Sequence, residues 1–216
     1  ALLILGLYVV YSRILKSTAE GYFLYLSFGL VGWYSIVNSI NGSANSLQQY
    51  QHLILNFKIP LWTYPITVVS TNFLLWLHNI PFLLLILIFN SKNLLLILPT
   101  ILGALTGSII LLPFCIFFAA WCAKYKDLKQ AITVIMNCLF FITPIVWYPS
   151  ELTGRMALLT KLNPFTYILN LYRLGLKIDY SIFLNTTLLF LFSSILVLLL
   201  IPSRINPLVR SIVTKI

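Results

Sequence analysis

Acidic side chains are scarce in this chain of 216 residues: Glu20, Asp127, Glu151 and Asp179 are the full complement. All four fall between the long apolar runs, so no carboxylate pair stands at membrane depth for acid–base chemistry or for carrying a coupling ion. The two histidines, His52 and His78, have no Cys, Asp or Glu at ligand spacing, and no metal site is expected. Three cysteines, Cys115, Cys122 and Cys138, show no Cys-x-x-Cys pattern and read as small apolar fillers. None of the nine glycines precedes a lysine. That excludes a Gly-Lys-Ser/Thr phosphate loop and ATP hydrolysis by that route. No cofactor is implied.

What the chain has in abundance is apolar surface. It is 60% hydrophobic and 8% charged, with a mean hydropathy of +0.98, far beyond what a soluble core of this size needs. The expected fold class is an all-α, polytopic membrane protein. The formal charge of +10 comes from 14 Lys and Arg spread over the connections, without a polybasic run or a nucleic-acid motif. Membrane lipid, not nucleic acid, is the expected anionic partner.

Apolar runs near the ~20 residues that cross a bilayer core predict six transmembrane helices. Residues 1–14 read as a first span that is truncated at its start, so the chain is expected to be N-terminally incomplete. The others fall at 22–42, 62–89, 94–122, 131–148 and 181–201. Residues 149–180 are too polar and interrupted to cross. They split at Asn163-Pro164 into two short helical patterns, a re-entrant or interfacial pair between spans five and six. Seven Lys and Arg fall on each side, so the positive-inside rule does not orient the chain.

Three patterns stand out within this frame. Tyr34, Asn38, Asn41 and Asn45 recur at helical spacing beside Ser35 and Ser39. Such a stripe either lines a wet cavity or bonds a neighbouring helix. Residues 43–59 are amphipathic, with Leu47, Tyr50, Ile54 and Phe57 on one side and Gln48, Gln49, Gln51, His52 and Asn56 towards the other. They predict a helix lying in the interface, either as a connector or as a surface for a soluble partner. Gly103-x-x-x-Gly107 permits a close approach, within one subunit or between two.

Four short motifs then occur in order: Lys124-Tyr125-Lys126-Asp127, Thr143-Pro144-Ile145-Val146, Asn163-Pro164 and Tyr172-Arg173. With residues 29–33 and Lys58-Ile59-Pro60, this ordered set resembles the permease subunits of ABC-2 type exporters, those that export O-antigen, capsule, polysaccharide or teichoic acid. Lysine stands where that family usually has arginine in the first motif. The resemblance implies that residues 1–216 form one ABC-2 transmembrane domain in a bacterial cytoplasmic (inner) membrane, multi-pass and without enzymatic activity. Its implied partners are an ABC ATPase subunit, a second copy of itself and a lipid-linked glycan polymer. Leu47, Tyr50, Gln51, Ile54, Phe57, Lys126 and Asp127 would couple to the ATPase. Asn163, Pro164, Tyr172 and Arg173 would belong to gate helices at the external end, against the plainer reading of a surface cap.

Aromatic residues make up 15% of the chain. Flat rings with polar edges suit sliding contact with sugars, and Tyr8, Tyr11, Tyr34, Asn38, Phe140, Phe141, Trp147 and Tyr148 are the candidates for channel or substrate contact. An interfacial aromatic belt is the alternative for Trp147 and Tyr148. Lys58 and Lys126 could attract a pyrophosphate-linked lipid head or native lipid. Two further readings stay open: an ABC-2 exporter of drugs or small hydrophobic molecules, and a membrane-bound glycan or lipid transferase.

Overall fold

The computed structural model describes residues 21–57, 59–90, 92–125, 127–149 and 162–176, together with residues 4, 6, 8, 9, 160 and 195. Its described elements are all helical. They are α1 (Tyr22–Gln49), α2 (Gln51–Asn56), α3 (Thr63–His78), α4 (Ile80–Phe89), α5 (Ile97–Lys124), α6 (Leu128–Ile142) and α7 (Pro164–Leu171). Short 3₁₀ turns, Leu94–Leu96 and Leu174–Leu176, lead into α5 and follow α7.

Among the described residues, three stretches are long and apolar enough to cross a membrane: Tyr22–Gln49, Thr63–Phe89 and Leu94–Lys124. They match the expected second, third and fourth spans. The expected first and last spans lie outside the described residues, apart from isolated positions. The first half of the expected helix pair, with Leu152, Met156 and Leu159, also lies outside them.

Helix α1 is the axis of the bundle and packs against α3, α5, α6 and α7. Within its most apolar window 72% of residues are buried, against 22% for Thr63–Phe89, whose outer face is left to lipid. Leu26, Leu30, Ile36 and Ile40 of α1 meet Leu83 and Leu87 of α4 and Ile110 and Leu111 of α5 in one core.

The structure corrects the expected boundaries in two places. Helix α1 continues seven residues past the expected end at Gly42, so 43–59 is not one interfacial helix. Two of the polar residues that suggested an exit, Ser46 and Gln48, are satisfied inside the bundle. Ser46 donates its hydroxyl to its own helix at the Ser43 carbonyl (2.7 Å), and Gln48 donates to the Cys122 carbonyl of α5 (3.0 Å). Only α2 remains as a separate short helix.

The fifth span is the second correction. Helix α6 starts earlier and stops earlier than 131–148, at Ile142, so its 15 residues reach only ~22 Å. Pro144 causes the stop, because it has no N–H and forces the preceding residue out of the helical region. Thr143 is accordingly extended, with ψ of 137°. Residues 143–147 leave the helix as an irregular but buried or half-buried segment.

Elsewhere the prolines fall where helices tolerate them. Pro81 opens α4 after a joint at Asn79, which bends the third span, and Pro113 lies within α5. Cys115 and Cys122 are buried fillers, whereas Cys138 is exposed on α6.

Candidate functional site

Residues 143–147 pose a physical problem, since carbonyls outside a helix need donors and hydrocarbon has none to offer. Arg173 supplies two. Its Nη1 donates to the Pro144 carbonyl (2.7 Å) and its Nη2 to the Ile145 carbonyl (2.9 Å). The Tyr25 hydroxyl also donates to Pro144 (2.7 Å) and lies 3.1 Å from the Trp147 carbonyl, while Tyr22 donates to the Val146 carbonyl (2.7 Å). Asn163 closes the segment from the other side, donating through Nδ2 to the Thr143 hydroxyl (2.9 Å).

Arg173 itself is 1% exposed. Its guanidinium stacks 3.7 Å from the centre of the Tyr25 ring, a contact that favours a partly dehydrated cation. Asp127 is the acidic residue among the described ones, and it sits exposed at the opposite end of α6. Among the described residues, carbonyl dipoles and a ring face balance the arginine charge.

Helix α7 delivers Arg173 to this place. Asn163 caps its start by accepting from Phe165 N (3.0 Å), and Pro164 occupies the first turn, where its missing N–H costs nothing. Phe165, Ile168, Leu169 and Leu171 are buried, so α7 is packed into the bundle against α1 and α5 and is not a surface cap.

Small residues open the way for it. A Cβ on Gly29 would fall 1.7 Å from Arg173 Nη2, and one on Gly103 would fall 2.0 Å from the Leu171 carbonyl oxygen. Gly32 and Gly107 admit the Tyr172 side chain. The Gly103-x-x-x-Gly107 pair therefore serves packing within the subunit. Tyr172 is buried, with its hydroxyl 3.1 Å from Ser108 Oγ and 3.4 Å from Ser35 Oγ, and its ring edge-on to Trp76.

Three of the four sequence motifs, Thr143 to Val146, Asn163-Pro164 and Tyr172-Arg173, thus meet in one buried cluster. Sequence reading missed Tyr22 and Tyr25 as members. A signal was present, because Tyr22, Tyr25, Gly29 and Gly32 share one helical face.

The candidate channel residues are dispersed. Phe141 is 72% exposed on α6, and Phe140 is half-buried against Trp33. Trp147 donates its indole N–H to the Phe141 carbonyl (3.3 Å), and Tyr148 packs on Tyr25. Tyr8 is partly exposed beside Tyr22 and Phe23, and Tyr11 lies outside the described residues. The polar stripe of α1 divides. Tyr34 and Asn38 border a cavity, whereas Asn41 and Asn45 accept from Thr133 (3.4 Å) and Lys129 (2.6 Å) of α6.

Near the C-terminal end of α1, Leu47 and Ile54 are buried with Leu61, Tyr64, Ala119 and Ala123 in a second small core. Tyr50 stacks on Tyr64 at 5.6 Å. Gln51 is half-buried and Asp127 exposed, and Lys58 and Lys126 lie outside the described residues. Phe57 departs from expectation. It is extended and 56% exposed, because α2 ends at Asn56 before the apolar side completes a further turn.

No family model matches the chain. Over 171 residues, 76% of its length, it is 21% identical to the O-antigen export system permease protein RfbA of Myxococcus xanthus. The chain spans 65% of the length of that relative. That relative is by name an export permease, the kind of protein whose short motifs this chain resembles.

Proposed function

We propose that this chain is the membrane-spanning permease part of an ABC exporter in a bacterial cytoplasmic membrane, moving a lipid-linked polysaccharide or polyol-phosphate polymer outward. The observation that carries this reading is the convergence of the motif segments on Arg173, in a chain distantly similar to an O-antigen export permease. Energy comes from a separate ATPase subunit, and the permease works by changing shape and makes no bonds. A second copy completes the channel.

Helix α1 supplies the mechanical link. It runs unbroken for 28 residues from the Arg173 cluster to the turn that carries Leu47, with α2 packed on its end. A partner pressing on α2 and on the connection at Asp127 would tilt α1 as a rod. The tilt would shift Tyr22, Tyr25 and Gly29 against the Arg173 turn, which makes Asn163, Pro164, Tyr172 and Arg173 the moving gate. Tyr8, Phe140, Phe141, Trp147 and Tyr148 line the path beside it.

The test is to co-purify the intact protein with the ATPase encoded beside it and to measure ATP hydrolysis. A stable complex is expected, with hydrolysis reduced several-fold by Tyr50→Ala, Phe57→Ala or Asp127→Ala. Failure to associate with any nucleotide-binding partner would overturn the proposal.

A further inference from the structure

A cavity of about 380 Å³ opens between α1, α3 and α4, on the flank of α1 away from Arg173. Its polar lining consists of Tyr34, Ser35, Asn38, Asn72, Asn79 and the indole of Trp76. The volume lies at the small end of the range of roughly 300–1,000 Å³ in which small-molecule sites fall.

The hydrogen-bonding groups are set for a ligand. Asn72 and Asn79 each donate through Nδ2 to a carbonyl of their own helix, Val68 (3.0 Å) and Leu75 (2.8 Å). Those bonds orient each amide and turn its Oδ1 into a placed acceptor. Trp76 provides the independent sign. It is 2% exposed, and its indole N–H has no partner among the described residues, a deficit that costs free energy until something accepts from it. The ring is held between two others, with Phe73 stacked on it at 6.3 Å and Tyr172 edge-on at 5.6 Å.

Charge narrows the ligand class. Among the described residues that line the cavity none is Lys, Arg, Asp or Glu, so these residues offer a phosphate or an ammonium group no counter-ion. Ile4, Val31, Leu75 and Phe82 alternate with the amides. Neutral hydroxyls on an otherwise apolar ring fit acceptors, donors and apolar wall together.

We infer that this cavity is a binding site for a neutral sugar unit. The assignment rests on the export reading only for the source of the sugar, which is either a segment of the exported polymer or the headgroup of a membrane glycolipid.

The intact protein in nanodiscs of phosphatidylethanolamine and phosphatidylglycerol, free of glycoside detergent, is titrated with methyl glucoside and methyl galactoside. Glycerol 3-phosphate is the charged control, and saturation-transfer NMR gives the affinity. At least one neutral sugar binds, glycerol 3-phosphate does not, and Asn72→Leu and Trp76→Phe each weaken binding about tenfold, the loss of one hydrogen bond to a ligand. Asn79→Leu, at an exposed joint where folding is not at stake, weakens it too. Asn137→Leu, exposed on α6, leaves it unchanged. Displacement of the soluble sugar by monoglucosyl-diacylglycerol in the disc assigns the site to a lipid headgroup, and its absence assigns it to a polymer unit. No binding of either sugar, tighter binding of glycerol 3-phosphate, or affinities indifferent to Asn72, Trp76 and Asn79 would overturn the site. No ATPase enters this titration, so its failure is separate from failure of the complex to form.

Discussion

Around Arg173, side-chain donors close on the backbone of residues 143–147: Pro144, Ile145, Val146 and Trp147 all have their carbonyls met by Arg173, Tyr22 or Tyr25. Across α1, Asn72, Asn79 and Trp76 line the cavity, and the Trp76 N–H has no partner among the described residues. Both regions place polar groups in apolar surroundings, yet in one the irregular backbone carbonyls are met by side-chain donors, with only Arg173 Nε lacking a described partner, and in the other the Trp76 N–H meets no described acceptor. Donors placed on irregular carbonyls keep that segment packed as a unit and contribute stability. A buried donor without an acceptor costs stability and is retained where something binds. Tyr172 joins them, because it precedes Arg173 in the turn and touches both Ser35 and Trp76.

The sharpest way to break this contrast is at Arg173. Arg173→Ala removes the side-chain donor of the Ile145 carbonyl, takes one of two from Pro144 and empties a buried site, and should lower stability by ~3 kcal/mol, read as a large fall in thermal unfolding temperature of the purified protein. Arg173→Lys should recover only part of the loss, since one ammonium does not reproduce the planar fork that reaches both oxygens.

Gly29→Ala should follow closely. The added methyl occupies the place of Nη2 and displaces the guanidinium, whereas Gly42→Ala meets only the end of the Val68 side chain and should cost under about 1 kcal/mol. Equal losses for the two glycines would refute the idea that the space at Gly29 exists for Arg173.

Tyr172→Phe removes a buried hydroxyl shared with Ser108 and Ser35 and should cost about 1 kcal/mol. The same variant should also alter sugar affinity if the turn and the cavity are coupled. Smallest of all, Asn79→Leu on the cavity side should change thermal stability by no more than ~0.5 kcal/mol, because the residue is exposed. A loss as large as that of Arg173→Ala would erase the distinction between a stabilising cluster and a binding one.

Much of the framework was legible in the sequence because it depends on local rules. Pro81 and Pro164 start helices where their missing N–H is harmless, Pro144 ends α6, and the apolar runs at 62–89 and 94–122 match the long helices within a few residues. The end of α1 was not legible. Ser43, Ser46 and Gln48 look like the exit from a membrane until a neighbouring carbonyl, 74 residues away at Cys122, accepts the glutamine amide. Lys129 reads as a loop charge, yet it sits in the first turn of α6 and donates to Asn45. Arg173 falls in a segment that reads as re-entrant or interfacial, and it is among the most buried side chains described.

Composition and periodicity alone determined that this is a helical membrane protein without a phosphate loop, and the order of its short motifs determined which family it resembles. Hydrophobic run length and proline chemistry act within one segment, so sequence suffices for them. Tertiary structure decided which polar groups are satisfied and by whom. The Gly103 pair receives the Leu171–Tyr172 turn, Tyr22 and Tyr25 join the Arg173 cluster, and the Trp76 N–H has no acceptor among the described residues. Hydrogen bonding and close packing between distant segments depend on where helices cross, and no local pattern encodes that.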